Sequence, residues 1–192
     1  MRLVLLGAPG SGKGTQAARL AKRLAIPRLS TGDMLRAAVS EGTPIGTRVK
    51  AAMERGELVP DDLVVAIVAE CISLPDAKSG FILDGFPRTV VQATALDDIL
   101  RAADLRIDRV LELDVDEAAL LVRILNRADE AKVNGFARAD DTEAALRMRL
   151  EEYRGQTRPL ADYYRGQGLL KSINGLQSIN KVANSLLEAL DA

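Results

Sequence analysis

Nine residues, GAPGSGKGT from Gly7 to Thr15, place four glycines around a lysine in the spacing GxxxxGK. They follow a short apolar run, RLVLL, and precede an amphipathic stretch of helical period. Glycines let successive backbone N–H groups turn inward on an anion. The helix behind them adds the positive end of its dipole, and Lys13 adds a mobile point charge. The chemistry this points to is phosphate binding. One residue departs from the usual pattern: Gly14 stands where Ser or Thr is expected, and Thr15 comes one position later.

Three further groups could act on a phosphate. LDGFPRT, Leu83–Thr89, ends an apolar run with a carboxylate, and the C-terminal edge of a parallel strand is where an open sheet binds ligands. Asp84 there is suited to Mg²⁺, directly or through its water shell, and Arg88 to a phosphate. The same residues also make an ordinary strand–turn–helix corner. STGDMLR, Ser30–Arg36, opens with helix-capping residue types and sets Arg36 about one turn in. Arg123 and Arg127 are spaced i, i+4, a mildly unfavourable pairing unless an anion bridges it, and Arg138 and Arg149 follow. Taken singly, each arginine also reads as a solvated surface residue.

Composition narrows the chemistry. The chain of 192 residues contains no histidine, so mechanisms built on imidazole are excluded. One cysteine, Cys71, allows no intrachain disulfide and reads as a small, buried hydrophobe. A net charge of −1 argues against a nucleic-acid surface. No apolar run reaches membrane-spanning length, and RLVLLGAPG is too quickly broken to serve as a signal peptide, so cytoplasmic location is expected. Nineteen of the 26 basic residues are arginine, the cation that grips phosphate bidentately.

The elements that must carry these groups alternate. Strands are predicted at Arg2–Leu6, Arg28–Ser30, Gly80–Leu83, Arg109–Leu113 and Leu169–Ser172. Helices are predicted over Lys13–Leu24, Gly32–Ser40, Thr47–Arg55, Asp61–Leu74, Val90–Ala102, Asp116–Ala128, Thr142–Gln167 and Ile179–Leu190. This is an α/β pattern with a parallel sheet covered on both faces. Two helices with no strand between them, in 30–59, read as an insertion beside the site. The polar stretch 126–137 reads as a short lid.

GAPGSGKGT, LSTGDMLR, GELVPD, ILDGFPRT with Gln92, LLVRILNR, RADD, RLEEY and RPLADYY, taken in order, resemble adenylate kinase over nearly the whole chain. The resemblance is to the short-lid form, since Cys71 alone cannot make the four-cysteine zinc lid of some relatives. It implies a P-loop three-layer α/β/α fold with a five-stranded parallel sheet. The core would be 1–29, 60–125 and 138–192, with an NMP-binding insertion at 30–59 and the lid at 126–137. The implied reaction is ATP + AMP ⇌ 2 ADP with Mg²⁺ on ATP, and a monomer is expected.

The resemblance also implies residue roles. Gly10, Ser11, Gly12, Lys13, Gly14 and Thr15 would hold the ATP phosphates, with Arg123 and Arg127 closing over them. Thr31, Arg36, Glu57, Leu58, Val59, Gly85, Phe86, Pro87, Arg88 and Gln92 would form the AMP site. Arg138 and Arg149 would reach the transferring phosphoryl and the AMP phosphate. Lys13, Arg88, Arg123, Arg138 and Arg149 form the expected catalytic set. Asp84 would position Mg²⁺ through water, with Thr15 also on the metal side. Asp140 would tether the lid arginines, and backbone near Gln177 would meet the ATP adenine.

Gln92 offers a paired donor and acceptor to an adenine edge, and Thr31 adds a hydroxyl, which favours AMP over UMP or CMP. Two alternatives stay open: another nucleoside-monophosphate kinase, and a non-catalytic P-loop module. Switch modules of the latter kind need a hydroxyl directly after the lysine, which Gly14 does not supply.

Overall fold

The computed structural model describes residues 1–116, 118–120, 122–123 and 142–191. Five strands, β1 (Arg2–Gly7), β2 (Arg28–Ser30), β3 (Phe81–Asp84), β4 (Arg109–Asp114) and β5 (Leu170–Asn174), form one parallel sheet in the order β2-β3-β1-β4-β5. β1 is central because it is apolar on both faces: Leu3, Val4, Leu5 and Leu6 are each at most 4% exposed. Leu3 and Leu5 pack on one side with α1 (Lys13–Leu24) and α8 (Ile179–Asp191). Val4 and Leu6 pack on the other, with α4 (Asp61–Ser73), α5 (Val90–Ala102) and α7 (Leu160–Gly166). That alternation makes the three layers that the sequence pattern predicts.

α2 (Thr31–Ser40) and α3 (Pro44–Arg55) follow β2 as a helical pair. They pack so closely that a Cβ on Gly46 would lie 2.0 Å from the Ala38 carbonyl oxygen. α3 starts three residues earlier than the periodicity predicts, because Pro44 fits the first helical turn and Thr43 Oγ1 accepts from the Gly46 N–H. The loop Gly56–Val59 returns the chain to α4. There, a Cβ on Gly56 would meet the Ala145 carbonyl oxygen at 2.2 Å, so the pair leans on α6 (Glu143–Glu152).

One expectation fails. The single helix predicted over Thr142–Gln167 is three pieces: α6, a π-helical turn at Tyr153–Thr157, and α7. Pro159 lacks the N–H needed inside a helix, and Gly155 tolerates the widened turn. A 3₁₀ turn at Pro75–Ser79 precedes β3 and is absent from the sequence reading. Of the helix predicted over Asp116–Ala128, residues 118–120 and 122–123 are helical, and the remainder beyond Asp116 lies outside the described residues. Among the described residues no helix is long and apolar enough to cross a membrane.

Candidate active site

The C-terminal edges of β1, β2 and β3 open into a cleft of about 630 Å³. Its first wall is the loop between β1 and α1. Gly10 and Gly12 sit at φ 83° and 98°, backbone that a side chain rarely adopts, so glycine is required for the curl. Lys13 Nζ donates to the carbonyls of Gly7 (2.6 Å) and Ala8 (2.9 Å), which holds the ammonium across the mouth of the loop. Gly10, Gly12, Lys13, Gly14 and Thr15 all line the cleft; Ser11 does not, being 3% exposed, and no described residue bonds its hydroxyl.

The opposite wall is assembled from β2, α2, β3 and the start of α5. Thr31 Oγ1 donates to the Gly85 carbonyl at 2.9 Å, and Arg88 Nε donates to the same oxygen at 2.8 Å. Gln92 is 2% exposed and fixed at both ends of its amide. Its Oε1 accepts from the Arg88 N–H at 2.7 Å, and its Nε2 donates to Asp61 Oδ1 at 2.7 Å. Asp61 Oδ2 accepts from Thr89 Oγ1 at 3.1 Å. An amide has two donors and two acceptor lone pairs, so among the described residues one of each is left beside the cleft. Glu57 lines this wall with Leu58 and Val59, and its carboxylate takes two bonds of 2.7 Å from Arg55, which hold it below the usual carboxylate value.

Between the walls sits Asp84, 6% exposed and lining the cleft. Its Oδ2 accepts from Arg28 Nε at 3.0 Å and from Nη2 at 2.7 Å. Among the described residues both bonds fall on Oδ2, which leaves Oδ1 for a ligand. The carboxylate fits water-mediated Mg²⁺, a hard cation that keeps most of its shell. No group of three or more His, Cys, Asp or Glu able to cage a metal occurs among the described residues. A Cβ on Gly14 would stand 3.3 Å from Arg28 Nη2 and 3.7 Å from Asp84 Oδ2. Gly14 therefore leaves room for this ion pair.

Arg123 and Arg149 line the same cleft, and Arg123 Nη2 donates to the Gly175 carbonyl at 2.9 Å. The cleft thus brings together every described member of the expected set except three: Ser11, Phe86 and Gln177 do not line it. Phe86 is fully buried in the core cluster with residues of β3 and α5, where its side chain packs. Gln177 is exposed in the turn after β5. Arg127, Arg138 and Asp140, with the stretch 126–137, lie outside the described residues.

The sequence reading misses Arg28, and takes Asp33 only as a capping type. It also passes over Asp61, Tyr153 and Thr157. Tyr153 and Thr157 line the cleft from the π turn, where Thr157 Oγ1 donates to the Arg88 carbonyl at 2.9 Å. Pro159 was the available signal for that turn, because it breaks the helix at this point.

Residues 5–169 match the family model for adenylate kinase. The chain belongs to the adenylate kinase family. It is 54% identical over 193 residues to an adenylate kinase of Beijerinckia indica subsp. indica, covering all of both chains. It is 55% identical over 192 residues to an adenylate kinase of Azorhizobium caulinodans, covering all of this chain and 99% of that one. A third, from Methylobacterium radiotolerans, is 54% identical over 192 residues, with all of this chain and 96% of the relative aligned. Both walls of the cleft of this adenylate kinase family member carry cations, Lys13 on one and Arg36 with Arg88 on the other.

Proposed function

We propose that the cleft catalyses reversible transfer of the terminal phosphoryl group of MgATP to AMP, giving two ADP, with the loop wall holding ATP and the assembled wall holding AMP. The observation that carries this division is the placement of cations. Lys13 sits on the loop, Arg36 and Arg88 on the opposite wall, and Arg123 and Arg149 also line the cleft.

Phosphoryl transfer asks little covalent chemistry of a protein and much alignment and charge neutralisation. Loop N–H groups from Gly10 to Thr15 bind and orient the β- and γ-phosphates, and Lys13 turns from the Gly7 and Ala8 carbonyls to them. Arg36 and Arg88 set the AMP phosphate in line, while Arg123 and Arg149, with Arg127 and Arg138, neutralise charge on the moving group. Mg²⁺ carried by ATP supplies further neutralisation of the phosphate oxygens, and Asp84 with Thr15 would hold its water shell. Gln92 and Thr31 read the adenine of AMP, which favours AMP over UMP and CMP. Water must be kept out, so 30–59 and 126–137 are read as the parts that close over the core. A monomer acting in the cytoplasm on free nucleotides completes the reading, with no structural zinc.

Incubation with ADP and Mg²⁺ alone tests it: an enzyme with two nucleotide sites makes ATP and AMP in equal amounts, resolved by chromatography. ADP left unchanged would favour a nucleotide-binding module without transfer. Comparable kcat/KM for UMP and AMP would instead favour a different monophosphate specificity.

A further inference from the structure

Arg28 joins two regions that the reaction must use together. Nη2 of this one guanidinium lies 2.7 Å from Asp84 Oδ2 and 3.2 Å from Asp33 Oδ2. Asp33 Oδ1 in turn accepts from Arg36 Nη2 at 2.6 Å. The result is an unbroken charge chain, Arg36–Asp33–Arg28–Asp84. It runs from the cation on the AMP side to the carboxylate on the metal side. Each inner member serves two partners of opposite sign, so strengthening one bond weakens the next. Gly14 keeps the space for it, since a side chain there would crowd Arg28.

We infer that Arg28 is a positioning residue that couples the two sites, so that Mg²⁺ beside Asp84 raises affinity for the phosphate of AMP. This rests on the assignment of AMP and MgATP to the two walls. A hydrated cation drawing on Asp84 weakens the hold of that carboxylate on Arg28. Arg28 then turns its charge toward Asp33, and Asp33 relaxes its grip on Arg36. Arg36 is left better able to take an anion. Linkage makes the effect reciprocal: AMP phosphate on Arg36 must raise affinity on the metal side by the same factor. A guanidinium is suited to this role because its donors lie in one rigid plane and can serve two carboxylates at once.

The test uses the full chain saturated with the β,γ-imido analogue of ATP, which binds without reacting. AMP is titrated in by calorimetry with Mg²⁺ present and again with the metal chelated. The ratio of the two dissociation constants is the coupling factor. In the wild type it should be about fivefold or more, the lower end of ordinary allosteric coupling. Two variants cut the chain at different points: R28Q removes the bridge, and D33N leaves Asp84 paired with Arg28 and so keeps the fold safe. Both should bring the factor to within about twofold of unity, and the double variant should go no further, as one shared route requires. A merely structural role for Arg28 would change melting temperature and leave the factor intact. A wild-type factor of one, or a factor kept in D33N, overturns the inference while leaving the functional reading standing. Failure of AMP or the analogue to bind at all would overturn both.

Discussion

The two walls of the cleft are built on different principles. The loop wall is local: its bonds from Lys13 reach back five and six residues, to Ala8 and Gly7. The opposite wall is assembled: Arg28 meets Asp84 across 56 positions, Thr31 meets Gly85 across 54, and Thr157 meets Arg88 across 69. A local site is encoded by a short word and survives wherever its strand and helix form. An assembled site exists only when the sheet order β2-β3-β1 has brought its parts together. The loop wall should thus fail through single groups, and the assembled wall through its supports.

The largest effect belongs to the loop. Lys13→Met removes the one mobile charge there and should lower kcat by about 10²–10³-fold or more, the scale for losing a transition-state donor. Circular dichroism and melting temperature should stay near wild type, because Lys13 is not a core residue. Near-normal turnover in a coupled ADP assay would mean that the backbone amides alone suffice.

Next comes a support of the assembled wall. Asp61→Ala frees both ends it holds, Gln92 Nε2 and Thr89 Oγ1, without removing any group assigned to AMP. Losing hydrogen bonds to a charged group costs about 1.5–3 kcal/mol. KM for AMP should rise about tenfold or more while KM for ATP stays within about twofold. Equal losses on both substrates would show that the walls are not separable.

Where the walls meet, Gly14→Ala places a methyl 3.3 Å from Arg28 Nη2. Only the tip of a flexible side chain has to give, by a few tenths of an ångström. Alanine is favoured over glycine in a helix by about 1 kcal/mol, so the cost falls on the Arg28–Asp84 pair rather than on the fold. We expect a melting temperature near wild type and a small loss of kcat/KM, to which Arg28→Gln, by shortening the facing side chain, should not add in full. Additive losses would place the strain elsewhere.

The same contrast sets what the sequence could reveal. The loop, the strand before it and α1 were legible because glycine spacing, periodicity and position all agree within 24 residues. The parallel sheet followed from alternation alone. Asp84 and Arg88 stand out at the C-terminal edge of a strand and Arg36 one turn into a helix, but those local signals fit a corner or a cap as well. The roles of all three, with that of Gln92, come from the family resemblance. Arg28 was not found, because an arginine at the start of a three-residue strand looks like any surface cation until Asp84 stands beside it. Gly14 was read as a missing hydroxyl when its neighbours make it a clearance. Phe86 shows the reverse case, since a residue within a binding motif packs its side chain into the core behind it. The break at Pro159 was visible, but the strong periodicity on either side hid it.

The smallest effect concerns the carboxylate that ties this wall together. Burial pushes the Asp33 carboxyl up. Hydrogen bonds from Arg36 and Ser30, with the charges of Arg36 and Arg28, outweigh burial and hold it below the ordinary value of 3.8. A group depressed in the folded state adds stability that is fully present above its unfolded value and is lost as pH falls through the lower, folded one. The wall should therefore be indifferent to pH between about 5 and 8, and should loosen only below about pH 4. The side chain is 46% exposed, so the gain in stability is small and is better followed at the residue than by melting. Carbon-13 NMR of the Asp33 carboxyl should give a midpoint below 3.8 in the wild type. Arg36→Gln should raise it more than Arg28→Gln, because the Arg36 bond at 2.6 Å is shorter than the Arg28 contact at 3.2 Å. The reverse order would mean that Arg28 holds Asp33 more strongly than these distances imply, and that the charge chain leans toward the metal side even before a cation arrives.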